Sequence, residues 1–429
     1  MYFTNNRLKQ KITVLLIFML FAGLSLNAQV LTTGSPEEVG MSSERLKRMD
    51  NMLQSAISKN EIPGAVALVA RKGKIVYLKS FGAADSDNRA LKADDIFRIA
   101  SMTKAITSTA VMMLYEEGKF HLEDPISKWI PEFKNPQVLD SLLDDGTYTT
   151  IKADKEISIR HLLTHTSGLG YGEIDADERM KRIYKDAGIK ELYSTEAIRI
   201  QDVAKEIAKL PLHHDPGEKF TYGVSLDVLG ALVEIVSGKP LDQFFEEYIF
   251  EPLGMNDTYF YLDEERAKRL VQVQTKKEGE FEPLVADFYD VDFPIKGAKT
   301  FFSGGAGLSS TAEDYAKFLQ MYLNNGMYNG KRLLSRKTIE LIMSKQVDDL
   351  YGEGAKHYGL AFSVVYKQGG SWASSQSVGT FIWGGYFNTY YMADPEEDII
   401  AILMKQTFDI GLDTTTLLFQ QIVYQAIND

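Results

Sequence analysis

The chain has 429 residues, 45% of them hydrophobic, enough for a large core and for two domains. Its formal net charge of −12 argues against a nucleic-acid partner, which needs a basic face, and against attraction to an anionic membrane. The absence of cysteine excludes a disulfide framework, a thiolate metal site, a cysteine nucleophile and a lipid attached through cysteine.

In chain order, Arg7, Lys9 and Lys11 precede an apolar run from Ile12 to Leu26, and Ala28 offers a small residue for cleavage. This is the pattern of a secretory signal peptide over residues 1–28. The run is short for a bilayer span and no charged stop-transfer flank follows, so the expectation is cleavage near Ala28 and no stable membrane anchor afterwards. A cysteine-free exported chain of this size suits the bacterial periplasm or the medium.

Ser42 to Lys59 reads as an amphipathic helix, with Leu46, Met49, Met52, Leu53 and Ile57 on one side. Gly64 to Phe81 reads as a hairpin that turns at Arg71-Lys72-Gly73-Lys74. A helical pattern begins at Ser101 and ends at Glu117-Gly118, and Leu122 to Phe133, with Pro125 and Pro131, reads as loop. From Ile157 to Leu253 the pattern is mostly helical, with loops at Ser167-Gly168 and from Leu210 to Gly217, a helix end at Ser237-Gly238 and a further helix from Gln243 to Leu253. Glu264 to Lys299 reads as loop and short strand.

The glycine-dense Ser303 to Leu308 precedes Ser310-Thr311-Ala312-Glu313, a capping-box pattern, and a helix from Asp314 to Asn324. Strands are expected at Tyr358 to Tyr366, Val378 to Trp383, Asn388 to Ala393 and Ile399 to Met404, and a helix from Thr414 to Ile427. Strands at both ends with helices between imply an antiparallel sheet flanked by helices, an α/β part over residues 40–100 and 295–429, and an inserted all-α part over 101–294. The cleft between the two parts is the expected active site.

Ser101-Met102-Thr103-Lys104 is the chain's one Ser-x-x-Lys. A three-residue offset puts Ser101 and Lys104 on one helix face, and a serine hydroxyl needs such a neighbour to take its proton. Lysine serves only when its amine is neutral, a state favoured by burial and by the positive end of a helix dipole. The same letters also fit an ordinary first turn with a solvated lysine. Tyr222, in Phe220-Thr221-Tyr222-Gly223-Val224, could share the proton traffic, since a nearby cation favours an ionised phenol. Trp383-Gly384-Gly385 ends an apolar strand, where paired glycines admit a close ligand and a main-chain N–H can complete an oxyanion hole.

Together with His161-Leu162-Leu163-Thr164-His165-Thr166-Ser167-Gly168-Leu169, Pro216 to Gly230, Gly304 to Leu308 and Trp383 to Met404, these pieces resemble the class C β-lactamase-like serine hydrolases. That family includes penicillin-recognising DD-peptidases, D-aminopeptidases and the family VIII carboxylesterases. The resemblance runs from about Leu46 to the C-terminal helix and implies the β-lactamase/DD-peptidase-like fold. It implies Ser101 as acylated nucleophile, Lys104 as its proton partner, Tyr222 as base or relay, and an oxyanion hole from the Ser101 and Tyr386 amides. No metal and no cofactor are implied, and the His161–Leu169 signature is structural. Val224 stands where the family usually has Asn, and Trp383-Gly384-Gly385 replaces the Lys-Thr-Gly of true β-lactamases and DD-peptidases. Tryptophan cannot supply a charge to a substrate carboxylate, and the carboxylesterase branch matches better.

His161 and His165 lack the glutamate of the zincin helix, since Leu162 occupies its place, and His213-His214-Asp215 reads as a solvated loop. No Gly-x-Ser-x-Gly elbow occurs and no phosphate-cradling glycine loop is followed by lysine. The expectation is an exported serine hydrolase acting through an acyl-enzyme on a small-molecule carboxylic ester. One alternative is an amide substrate, either a β-lactam or a D-amino-acid peptide. Another is a non-catalytic peptidoglycan-binding or scaffold relative.

Overall fold

The computed structural model describes residues 29–348, 355–369 and 375–429. The signal peptide expected over residues 1–28 lies outside them. At the centre is an eight-stranded sheet of β1 (Thr32–Thr33), β2 (Gly64–Arg71), β3 (Lys74–Gly82), β4 (Lys356–Tyr358), β5 (Ser363–Val365), β6 (Phe381–Gly385), β7 (Thr389–Asp394) and β8 (Ile399–Met404). Its order is β1-β3-β2-β8-β7-β6-β5-β4, antiparallel throughout except for the short edge strand β1, which makes it a mixed sheet. The two ends of the chain meet at its middle, where β2 pairs β8 from Val66↔Met404 to Arg71↔Ile399. The helices that bear on the site are α1 (Ser43–Ser58), α2 (Thr103–Glu116), α3 (Ser225–Ser237), α4 (Ala312–Leu323) and α5 (Thr415–Gln425).

The two-residue period of a strand sorts the layers. Ala65, Ala67 and Val69 of β2 and Ile399, Ala401 and Leu403 of β8 pack on α1 and α5. Val66, Leu68 and Ala70, with Ile400, Ile402 and Met404, face the larger core that holds α2, α3 and α4. Both strands are therefore buried on both faces and read as continuous apolar runs. Helix α2 is buried on nearly every side and packs on α3, which explains why its sequence shows little amphipathic contrast.

The β2–β3 hairpin turns on Lys72 and Gly73 with φ of 49° and 71°, the left-handed pair that a two-residue hairpin needs. The expected strand from Tyr358 to Tyr366 is two strands. Between them the Ile342 carbonyl accepts from Leu360 and the Leu163 carbonyl from Ala361, and Ala361 takes a φ of 68°. Those partners come from distant elements, so no local pattern announces the turn. The next strand starts at Phe381 because Thr380 is held in a turn on Ser377. Helix α4 is capped one residue later than expected, with Thr311 Oγ1 accepting from the Asp314 amide at 3.2 Å. The helix from Gln243 contains a π segment, Glu246–Phe250, and the 264–299 stretch adds short helices Glu264–Ala267 and Phe293–Lys296 to a hairpin, Gln274–Lys277 with Glu280–Pro283. A hairpin at Gln137–Leu142 and Tyr148–Lys152 falls inside the stretch expected to be all-α, and a helix at Arg336–Met343 had no expectation attached.

Where β8 ends, the fully buried Lys405 donates to Asp413, to Thr415 Oγ1 at 2.9 Å and to Thr416 Oγ1 at 3.1 Å. Asp413 also takes the Thr415 amide at 2.8 Å, so one carboxylate ties the end of the sheet to the start of α5. Burial would raise the Asp413 carboxyl, but the Lys405 charge and the Lys405 and Thr415 hydrogen bonds outweigh it and hold it below its ordinary range. The stability it contributes is therefore present above the ordinary carboxylate range and is lost as pH falls through the lowered value. The substitution Asp413→Ala strands a buried ammonium, and we expect it to destabilise the protein by about 3–5 kcal/mol in denaturant unfolding. A loss of less than about 1 kcal/mol would show that the pair is not what holds α5 to the sheet.

Candidate active site

The path to Ser101 is fixed before the helix begins. The Arg98 amide donates to Gln406 Oε1 at 2.7 Å and its buried guanidinium to the Val271 carbonyl at 2.7 Å, while the Ile99 amide donates to Leu308 at 3.0 Å. Ala100 then takes a φ of 46°, a left-handed conformation that costs a residue with a Cβ of order 1–3 kcal/mol. Ser101 lies in the single 3₁₀ turn Ala100–Met102, and α2 proper starts at Thr103, two residues later than the sequence pattern suggests.

Lys104, one turn on, is wholly buried. Its Nζ lies 3.1 Å from Ser101 Oγ, 3.0 Å from Tyr171 Oη and 2.7 Å from the Gly305 carbonyl. A carbonyl only accepts, so the amine donates to Gly305 in either protonation state. An ammonium donates to all three oxygens, and a neutral amine can donate to two and turn its lone pair on Ser101. Burial holds the Tyr171 phenol well above its ordinary range, followed in effect by the neighbouring Tyr222 and Asp227, so Tyr171 is a neutral hydroxyl.

Tyr222 is brought to the same place by its ring more than by its hydroxyl. Lys104 Nζ stands over the ring, 4.7 Å from its centroid, and Trp383 Nε1 donates to Tyr222 Oη at 3.4 Å. His165 fixes this tyrosine from behind. Its Nδ1 accepts from the Gly223 amide at 3.3 Å, its carbonyl from the Thr221 amide at 2.7 Å, and its ring lies 4.6 Å from that of Tyr222. Burial, then the Lys104 charge, pushes the His165 imidazole well below its ordinary value, which keeps it neutral. His161 closes a capping box with Ser158, and His213 pairs with Asp175 at 3.0 Å. No group of three or more residues with metal-ligating side chains occurs among the described residues. Val224, in the Asn position of the motif, is buried at the cap of α3 and does not face the cavity.

Ser101, Tyr171 and Tyr222 line a cavity of about 840 Å³ whose walls also include Tyr193, Trp383, Gly384, Gly385, Tyr386 and Leu417. At Gly385 the backbone of β6 is closely approached: a Cβ there would stand 2.2 Å from Thr389 Oγ1 and 2.5 Å from the Ile99 carbonyl, just before the turn that carries Ser101. Neither the Ser101 nor the Tyr386 amide is taken up by a turn, loop or cap hydrogen bond among the described residues. The structure thus gathers Ser101, Lys104, Tyr222, Trp383, Gly384, Gly385 and Tyr386 around one cavity. It adds Tyr171 and Gly305, which sequence reasoning missed. One of 22 tyrosines, 67 positions from its partner, carries no spacing signal, although its place just after the His161–Leu169 segment and between two glycines was a visible hint.

The family model described as Beta-lactamase matches residues 49–419. The chain belongs to the Beta-lactamase family. It is a serine hydrolase of the class C β-lactamase-like kind. Esterase EstB of Burkholderia gladioli is 29% identical over 398 residues, covering 88% of this chain and 94% of the esterase. A putative D-alanyl-D-alanine carboxypeptidase of Escherichia coli O157:H7 is 30% identical over 419 residues, covering 92% and 90%. Among solved structures, EstCE1, described as a hydrolase with promiscuous acyltransferase activity, superposes with a TM-score of 0.76 at 27% identity, covering 89% of this chain and 98% of that one.

In this Beta-lactamase family member Gly385 brings β6 against the Ile99 carbonyl, two residues before Ser101. We expect Gly385→Ala to fold but to lose roughly a hundredfold in kcat/KM, the scale of a misplacement near 1 Å. Near-wild-type kinetics for that variant would show that β6 does not need this approach.

Proposed function

We propose that this serine hydrolase cleaves carboxylic esters through an acyl-enzyme on Ser101, and that it works outside the cytoplasm. The observation that carries the proposal is the contact between Lys104 Nζ and Ser101 Oγ at the end of an aromatic cavity. Ser101 Oγ attacks the ester carbonyl while its proton passes to the Lys104 amine. The resulting ammonium finds three acceptors already in place, so the charge forms without rearrangement. The unused amides of Ser101 and Tyr386 suit the oxyanion. Collapse breaks the bond to the leaving alkoxide, which takes a proton back from Lys104. Water then attacks the acyl group by the same route, releasing a carboxylic acid and free Ser101. Export rests on the pattern of residues 1–28; among the described residues no helix is long and apolar enough to cross a membrane.

Esters are favoured over cell-wall-type amides by Trp383. It occupies the place of the Lys-Thr-Gly lysine and packs against Tyr222 and Tyr358 at ring separations of 5.7 Å and 5.4 Å, so it offers a substrate an apolar face and no positive charge. The similarity to EstB and EstCE1 supports the same choice. The carboxypeptidase relative keeps amides in the comparison, as does Lys356, which lines the cavity and has an interaction of its own.

We expect a fluorophosphonate to add once, at Ser101, and Ser101→Ala to abolish both labelling and ester turnover. A p-nitrophenyl ester should exceed nitrocefin and a D-Ala-D-Ala peptide in kcat/KM by roughly a hundredfold, the equivalent of about 3 kcal/mol of missing carboxylate recognition. Labelling elsewhere, or turnover that survives Ser101→Ala, would end the proposal, and faster cleavage of nitrocefin or the peptide would move it to amides.

A further inference from the structure

Asp227 sits on α3, 3% exposed, with no place in the mechanism above. Its Oδ1 accepts from Ser303 Oγ at 2.6 Å and from the Gly305 amide at 3.1 Å, and its buried Oδ2 has no partner. A Cβ on Gly305 would stand 2.6 Å from Oδ2, so the carboxyl lies directly against the Gly305 Cα. The other end of the same residue, its carbonyl, makes the shortest contact of Lys104, 2.7 Å. Gly305 is thus clamped between a buried carboxyl and a buried amine. Its turn is pinned beside them, with Thr107 donating to the Gly304 carbonyl at 2.6 Å. A half-satisfied carboxylate in a protein interior is costly unless an opposite charge compensates it.

The geometry points to Asp227 as the counter-charge and positioning residue of Lys104, acting across Gly305: it fixes the carbonyl that aims the amine at Ser101 and stabilises the positive charge the amine acquires. The inference rests on the reading that Lys104 takes the Ser101 proton. The other ionisable groups around the pair are the Tyr171 and Tyr222 phenols, the His165 imidazole and the Glu191 carboxyl. Tyr171 and His165 are neutral through burial. Glu191, which accepts from the Gly172 and Glu173 amides at 3.0 Å, is pushed up to about 7 by burial. Burial also raises the Asp227 carboxyl, against the Ser303 hydrogen bond and the Lys104 charge. Glu191 is bonded to the Tyr171 loop; Asp227 is bonded to the residue that Lys104 itself touches.

The test is a melting-temperature cycle on the full chain with Lys104→Met, Asp227→Asn and the double variant, together with ester kinetics for Asp227→Asn. Measured below the pH at which wild-type ester turnover rises, where the resting Lys104 amine is an ammonium, Lys104→Met leaves the carboxylate without its counter-charge, so adding Asp227→Asn should raise the melting temperature of that variant by about 2 °C or more. Asp227→Asn alone should lower kcat roughly ten- to a hundredfold with KM little changed, because Asp227 does not line the cavity. Should Asp227→Asn alone fail to fold, the comparison of Lys104→Met with the double variant still decides. Strictly additive losses in melting temperature would overturn the inference. Coupled melting temperatures in a protein whose Ser101 proves inert would instead leave the charge pair standing and remove the catalytic reading.

Discussion

An amine in a protein interior is tolerated only where its hydrogen-bonding positions are met, and around Lys104 three oxygens meet them. Two come from far along the chain, Tyr171 at 67 residues' separation and Gly305 at 201. The third, Ser101, is three residues back, in the 3₁₀ turn that leads into α2. Much of the structure can be understood as what holds these oxygens in register. The anchored Arg98–Ala100 segment delivers Ser101, and the Asp175 and Glu191 carboxylates take the amides of Tyr171, Gly172 and Glu173. Asp227 and Thr107 pin the glycine turn.

The wall opposite this amine sets what can enter. In the Lys-Thr-Gly arrangement a strand would present a cation to a substrate carboxylate. Here β6 presents Trp383, joined to Tyr222 by an indole hydrogen bond, and two glycines that let its backbone reach the nucleophile turn. Under the proposed function, the activated serine is kept while the recognition element beside it becomes aromatic. The far side of the cavity is built by the residues that open α5, held in place by the buried Lys405–Asp413 pair. Sheet stability and cavity shape are coupled there.

What the amino-acid sequence disclosed follows the range of the interactions involved. Ser101 and Lys104 were legible because a three-residue helical offset is local, and β2 and β3 because strand periodicity and the Lys72-Gly73 turn are local too. Tyr171 was not, because its contact with Lys104 depends on the path of a loop fixed by carboxylates elsewhere. The break between β4 and β5 was hidden for the same reason, since the carbonyls that make the turn belong to Ile342 and Leu163. Tyr222 was found, yet its ring, not its hydroxyl, faces the amine. His165, set aside as structural, holds Tyr222 by two backbone contacts and one ring face.

The central claim is that the Lys104 amine takes the proton of Ser101. The most direct measurement is the second-order rate of Ser101 phosphonylation by a fluorophosphonate across the pH range in the wild type and in Lys104→Met, with folding checked by circular dichroism. The account predicts that the variant reacts about a thousandfold more slowly and that its rate no longer carries the ionisation seen in the wild type. A folded Lys104→Met protein that labels at close to the wild-type rate, with the same pH profile, would contradict it.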